Sequence, residues 1–158
     1  MQLNVARVET GDVNTMADTD VKPNTKIKKF HHVSIAVKDA DAVMETWSKV
    51  LGIGPWTCKD LSGTSAKGHP WSAKEYWAEV GGVIIEIIQP VEGRIVQSKF
   101  LDTVGPGLHH IAFQVDDVDE YVVELQEKGA ELIVHNPGSF AYLKTGGPDG
   151  TVVEISQH

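Results

Sequence analysis

From Phe30 onward, apolar and polar residues first alternate as in a strand and then switch to helical spacing, and this succession occurs twice. HVSIAVKDADAVMETW begins at His32 and HIAFQVDDVDEYVVEL at His110, an offset of 78 positions. In each copy the alternating stretch predicts a strand that puts Val33, Ile35 and Val37, or Ile111, Phe113 and Val115, against a helix. An Asp pair follows, Asp39 and Asp41 or Asp117 and Asp119, suited to capping the unpaired amides of a first helical turn. The helices are predicted from the stripes Val43, Met44, Trp47, Leu51 and Val118, Tyr121, Val122, Leu125, with Gly52 and Gly129 where a left-handed residue ends a helix. Strand-like runs complete each half, and their last members match: VIIEI from Val83 and TVVEI from Thr151. The first half is the longer between its His and its Glu, and LSGTSAKGHPW, Leu61 to Trp71, reads as an inserted loop.

The repeat gives the polar exceptions their meaning. His32 shares a strand face with Ser34 and Ala36, and His110 with Ala112 and Gln114, away from the apolar faces. Glu86 and Glu154 interrupt apolar strands, where an unpaired carboxylate is costly to bury. Singly, each such residue is commonly a satisfied core or surface group. Matching places in two halves bring all four about one axis, and two imidazoles with two carboxylates form a neutral site with a divalent cation. The alternation also expects His31 and His109 on the opposite side of their strands.

Residues 1–29 keep neither periodicity and are read as a flexible tail. The 158 residues, 41% apolar and 23% charged, suffice for one globular domain over 30–158. A net charge of −8 with 14 scattered Lys and Arg argues against nucleic acid and for a small-molecule partner. Cys58 has no internal partner, no apolar run approaches the roughly 20 residues of a membrane span, and a cytoplasmic location is expected.

HHVSIAVKDAD, VLGIGPW, VIIEIIQP, SKFLDTVGPGLHHIAFQVDDVD and GTVVEI together resemble the vicinal oxygen chelate (glyoxalase/bleomycin-resistance) superfamily, with closest likeness to methylmalonyl-CoA epimerase and glyoxalase I type proteins. The resemblance implies an α+β fold in which two βαβββ modules, about 30–92 and 106–158, curve a mixed sheet into a cup. It places metal ligands at His32, Glu86, His110 and Glu154, with one divalent ion, Co, Ni, Zn or Mn, and a homodimer. The chain departs from the epimerases at two points. They commonly carry Gln where Glu86 stands, and their acidic base lies in a Glu-Gln-Gly phrase where this chain reads CKDLSGTSAKG, with Asp60 the sole acid.

The implied chemistry is stabilisation of an enolate by chelating two neighbouring substrate oxygens, in an epimerase, isomerase or lyase acting on a small carbonyl compound. Glu154 and Glu86 are the candidate bases, Glu154 preferred by the resemblance, with Asp60 third. Trp56 and Trp71 are the expected substrate-binding residues, and His69, Trp77 and Phe140 further candidates for the mouth of the cup. Two other functions fit the same fold: a ferrous dioxygenase using His32, His110 and Glu154, and a metal-free resistance protein that sequesters its ligand.

Overall fold

The computed structural model describes residues 26–145 and 151–157. Each half of the chain runs strand, helix, strands. The first comprises β1 (Lys29–Ala36), α1 (Ala40–Leu51), β2 (Thr57–Thr64), β3 (Pro70–Val80) and β4 (Val83–Glu92). After a linking helix α2 (Val96–Thr103), the second comprises β5 (Gly107–Gln114), α3 (Val118–Glu127), β6 (Glu131–Asn136), β7 (Phe140–Lys144) and β8 (Val152–Ser156). The eight strands form one curled mixed sheet in the order β2-β3-β4-β1-β5-β8-β7-β6, an α+β fold of the glyoxalase type. β1 is parallel to β4 and β5 to β8, and the halves meet where β1 runs antiparallel to β5. Among the described residues, no helix is long and apolar enough to cross a membrane.

The capping predicted from the Asp pairs holds, with a division of labour. Asp39 accepts the Ala42 N–H at the start of α1, and Asp117 the Glu120 N–H at the start of α3. The second Asp of each pair ties its helix to the sheet: Asp41 binds Lys74 and the Tyr76 hydroxyl on β3, and Asp119 binds His135 and the Gly138 amide around the β6–β7 turn. Val37, Ala40, Tyr76 and Ile87 pack α1 on one side of the sheet, and Val115, Val118, Tyr121, Val122 and Ile155 pack α3 in the second half. The other face of the sheet is left for β1 positions His32, Ser34 and Ala36, all buried.

Three boundaries differ from the sequence expectation. Residues 1–25 of the expected tail lie outside the described residues, but 26–29 join the fold: Lys26 pairs with Glu120 and Glu124, Ile27 packs on the α3 cluster, and Lys29 opens β1. The expected loop Leu61–Trp71 is mostly a strand hairpin, with Thr64 opposite Pro70 and a tight turn between Ser65 and His69. Pro is tolerated there because it opens its strand. α2 is not among the elements expected from the sequence; Ser98 Oγ accepts the Ile95 N–H at its start, and Ile95, Phe100 and Leu101 hold it against Ala36, Ala73 and Ile88 on the ligand face.

Gly93 makes this corner possible. Its φ is +69°, and a Cβ there would stand 2.3 Å from the Pro70 carbonyl oxygen and 3.0 Å from the Trp71 Cα. Gly93→Ala is expected to lower unfolding free energy by about 2 kcal/mol or more, combining left-handed strain with the clash. Urea denaturation measures it; a loss under about 0.5 kcal/mol would mean that the start of β3 yields without cost.

Candidate metal centre

Of the four residues predicted to converge, His32, His110 and Glu154 form one compact group, and Glu86 adjoins it through His32. In the parallel register Ser34 stands opposite Glu86 and Ala112 opposite Glu154, while Ser34 faces His110 across the seam. The two Nε2 atoms of His32 and His110 lie 3.0 Å apart, and Glu154 Oε2 is 3.1 Å from His110 Nε2 and 3.7 Å from His32 Nε2. Glu86 Oε2 closes the set at 3.8 Å from His32 Nε2. Atoms each about 2.1 Å from one ion are separated by about 3 to 4 Å, so the spacings among His32, His110 and Glu154 fit a shared cation. His32, His110 and Glu154 form the tightest group, their ligand atoms all within 4.8 Å of one another. All four side chains are buried, His110 completely at 0% exposure and Glu154 least at 6%.

Each carboxylate receives a hydrogen bond from an aromatic residue on the next strand. Trp77, opposite Glu86, donates its indole N–H to Glu86 Oε2 at 3.2 Å. Tyr142, opposite Glu154, packs its ring on His110 with centroids 4.9 Å apart, and its hydroxyl bonds Glu154. Burial, then the negative charges of Glu154 and Glu86, push that hydroxyl well above the ordinary tyrosine range, so it stays a proton donor.

The halves differ in what else surrounds the carboxylate. Ser34 Oγ donates to Glu86 Oε1, whereas Ala112 occupies the matching place beside Glu154. Two residues before Trp77 stands Glu75, hydrogen-bonded to Glu86; two before Tyr142 stands Phe140. Burial, reinforced by the charge of Glu75, pushes Glu86 up to about 8. Glu75 is itself raised, chiefly by burial. Burial pushes His110 down to about 3, a neutral imidazole with a free lone pair, as a ligand must be. The donor set, two neutral imidazoles and two carboxylates, suits Zn, Co, Ni or Mn.

His31 and His109 overturn the strict alternation expected of them. Opposite β5, Phe30 pairs with Phe113 and His32 with Ala112, leaving His31 as an extra residue; Ser34 pairs with His110 and Ile35 with Leu108, leaving His109. These bulges turn each extra histidine towards its neighbour, with Nδ1 to Nδ1 separations of 2.8 Å for His31 and His32 and 2.9 Å for His109 and His110. Burial, then His110, pushes His109 down to about 4.

The remaining expectations divide by sheet face. Trp71, Trp77 and Phe140 share the face of the ligands, Trp71 lying beneath α2 near Ile88. Trp56 does not: it packs on the α1 cluster, its indole N–H donating to Ser48 Oγ and the Ile53 carbonyl, so it lies behind the sheet from the site. Asp60, opposite Lys74 on β2 and β3, also falls on the α1 side, whereas Lys59 lies across from Glu75 with its ammonium 4.5 Å from the Trp77 ring centroid. His69 is exposed in the β2–β3 turn. Glu75 was missed although its alternation with Trp71 and Trp77 places it on the ligand face.

A curled sheet with a buried His and Glu contributed by each half defines a protein of the vicinal oxygen chelate class. The chain belongs to the Glyoxalase/Bleomycin resistance protein/Dioxygenase superfamily, whose family model matches residues 31–142. It is 25% identical over 142 residues to the uncharacterized protein YqjC of Bacillus subtilis (strain 168), covering 83% of this chain and 93% of that protein. Among solved structures it resembles the hypothetical protein BH1468 from Bacillus halodurans C-125, 24% identical with a TM-score of 0.61 over 82% of this chain and 94% of that one. It also resembles the methylmalonyl-CoA epimerase of Mycobacterium tuberculosis, 21% identical with a TM-score of 0.65 over 87% and 92% of the two chains. The Streptomyces coelicolor methylmalonyl-CoA epimerase in complex with 2-nitronate-propionyl-CoA gives 20% identity and a TM-score of 0.64 over 83% and 97%.

Proposed function

We propose that the protein binds one divalent metal ion, Co, Ni, Zn or Mn, through His32, Glu86, His110 and Glu154, and catalyses proton transfer beside a carbonyl as an epimerase, isomerase or lyase. The supporting observation is the compact, buried group of His32, His110 and Glu154, drawn from both halves, with Glu86 adjoining it through His32. Bound there, the ion would supply Lewis-acid stabilisation of the charge that develops on a substrate oxygen.

The chain's own residues divide the remaining work. Glu86, which stands outside the compact group of His32, His110 and Glu154 and approaches it only at 3.8 Å from His32, is the group that takes the substrate proton. Glu75, hydrogen-bonded to it, is the next place for that proton to go. Trp77 and Ser34 hold the carboxyl in position. Glu154, hydrogen-bonded to Tyr142 and close to both imidazoles, remains a ligand in this scheme, which moves the preferred base from Glu154 to Glu86. α2 shields the adjoining floor of the cup from water, and Trp71 beneath it adjoins the substrate's apolar part. The substrate is a small molecule, and the reading includes a cytoplasmic homodimer, for which light scattering on the purified chain is the check.

The test joins metal analysis to proton exchange. Elemental mass spectrometry of the native protein is expected to find about one equivalent of a divalent metal, and deuterium from solvent is expected to enter methylmalonyl-CoA or a hemithioacetal substrate, with Glu86→Gln slowing exchange at least about 100-fold. Metal without proton exchange on either substrate class would reject the mechanism. Absence of metal, with stability indifferent to chelator, would favour a sequestering protein. The compact His32, His110 and Glu154 group also supports a second reading, a ferrous dioxygenase; activity with iron alone and dependent on oxygen would select it.

A further inference from the structure

Both ligand histidines are preceded by a histidine, and both preceding residues occupy β-bulges. The bulges are equivalent about the β1–β5 seam: each adds its extra residue immediately before the ligand. In regular strands such neighbours would point to opposite faces. Here the ring Nδ1 atoms meet at 2.8 Å in the first half and 2.9 Å in the second.

A ring that offers its Nε2 lone pair to a metal while neutral carries its proton on Nδ1. Two Nδ1 atoms share one hydrogen only when one donates and the other presents a lone pair. We propose that His31 and His109 are positioning residues, whose Nδ1 atoms accept the Nδ1–H of His32 and His110 and so fix the tautomer and ring direction of both ligands. This rests on the metal-binding reading above. Neighbouring rings set the acceptors themselves: His109 is packed edge-on to Phe100 and Tyr142, centroids 5.2 and 6.0 Å away, and His31 lies 6.1 Å from Trp77. A neutral acceptor orients the ligand without adding negative charge to a site already holding Glu75, Glu86 and Glu154.

Zinc affinity of the full chain, measured by competition with a chromogenic chelator, is the first readout. His31→Phe and His109→Phe keep an aromatic ring but lose the acceptor and are expected to weaken zinc binding about 10- to 100-fold each. His31→Asn and His109→Asn, whose side-chain oxygen can take the place of Nδ1, are expected to stay within about threefold of the parent on the same basis. The second readout needs no variant: in zinc-loaded, nitrogen-15 labelled protein, each Nδ1–H···Nδ1 bond is expected to give a downfield ring proton with a nitrogen–nitrogen coupling across the bond. Absence of those couplings in a protein that binds zinc, or unchanged affinity in both Phe variants, would overturn the inference alone. No zinc binding by the parent would overturn the site reading and this inference with it.

Discussion

Replacing His110 by alanine is expected to reduce zinc or cobalt affinity by more than about 100-fold, beyond the range for losing a ligand's hydrogen-bond partner. His110 is the hub of the centre: its Nε2 lies 3.0 Å from His32 Nε2 and 3.1 Å from Glu154 Oε2, and no part of it reaches solvent. Chelator competition on the folded variant measures the effect, with His69→Ala as the control, since that residue lies in the exposed turn of the β2–β3 hairpin. Equal affinity in His110→Ala and the parent would remove His110 from the site.

The second large effect concerns the metal-stripped protein, whose stability is expected to peak near pH 6.5. His109 and His110, held near 4 and 3 by burial, remain neutral in the fold while their unfolded forms protonate below the ordinary value of 6.5. Their contribution is complete above 6.5 and is lost as pH falls towards the folded values. Glu86 has the opposite sign. Raised to about 8 by burial and then the charge of Glu75, it keeps its proton in the fold where the unfolded carboxyl has ionised; its contribution is complete below the ordinary 4.5 and is lost as pH rises to about 8.

Between 4.5 and 6.5 the two histidines are set against Glu86 and Glu75, whose carboxyl burial also raises, and above 6.5 the carboxyls act without them. Unfolding free energy is therefore expected to drop by about 1 to 2 kcal/mol from pH 6.5 to 8, with Glu86→Gln flattening this limb. Urea melts in the presence of chelator at pH 5, 6.5 and 8 check it, and stability rising through pH 8 would contradict it. With zinc present the alkaline loss should disappear, because metal binding displaces the proton that Glu86 otherwise retains.

The features legible in the sequence were those written in both halves. His32 with Glu86 and His110 with Glu154 stood out because a polar exception repeated, and Asp39 and Asp117 because helix starts need local acceptors. Glu75 has no acidic counterpart, since Phe140 holds the corresponding place, so the repeat gave it no weight. The positions of His31 and His109 depend on bulges, which arise from register between strands far apart in the chain and leave no local signature. α2 is a short helix that depends likewise on tertiary contact, its apolar residues finding partners on β1, β3 and β4. Trp56 was misplaced for a different reason: proximity to Gly54 and Pro55 suggested a loop at the cup, whereas its indole N–H finds acceptors on the far side at Ser48 and Ile53.

The seam between β1 and β5 divides the ligand set evenly, His32 and Glu86 before α2 and His110 and Glu154 after it. In the proposed centre each half supplies two of the four ligands, and pairing β1 with β5 raises the local concentration of one pair around the other. On that reading, metal uptake would report on assembly as much as on chemistry. A chain cut within the linker, between Glu92 and Gly107, should yield two pieces that take up zinc cooperatively on recombination, with the ion serving as the rivet of a split protein.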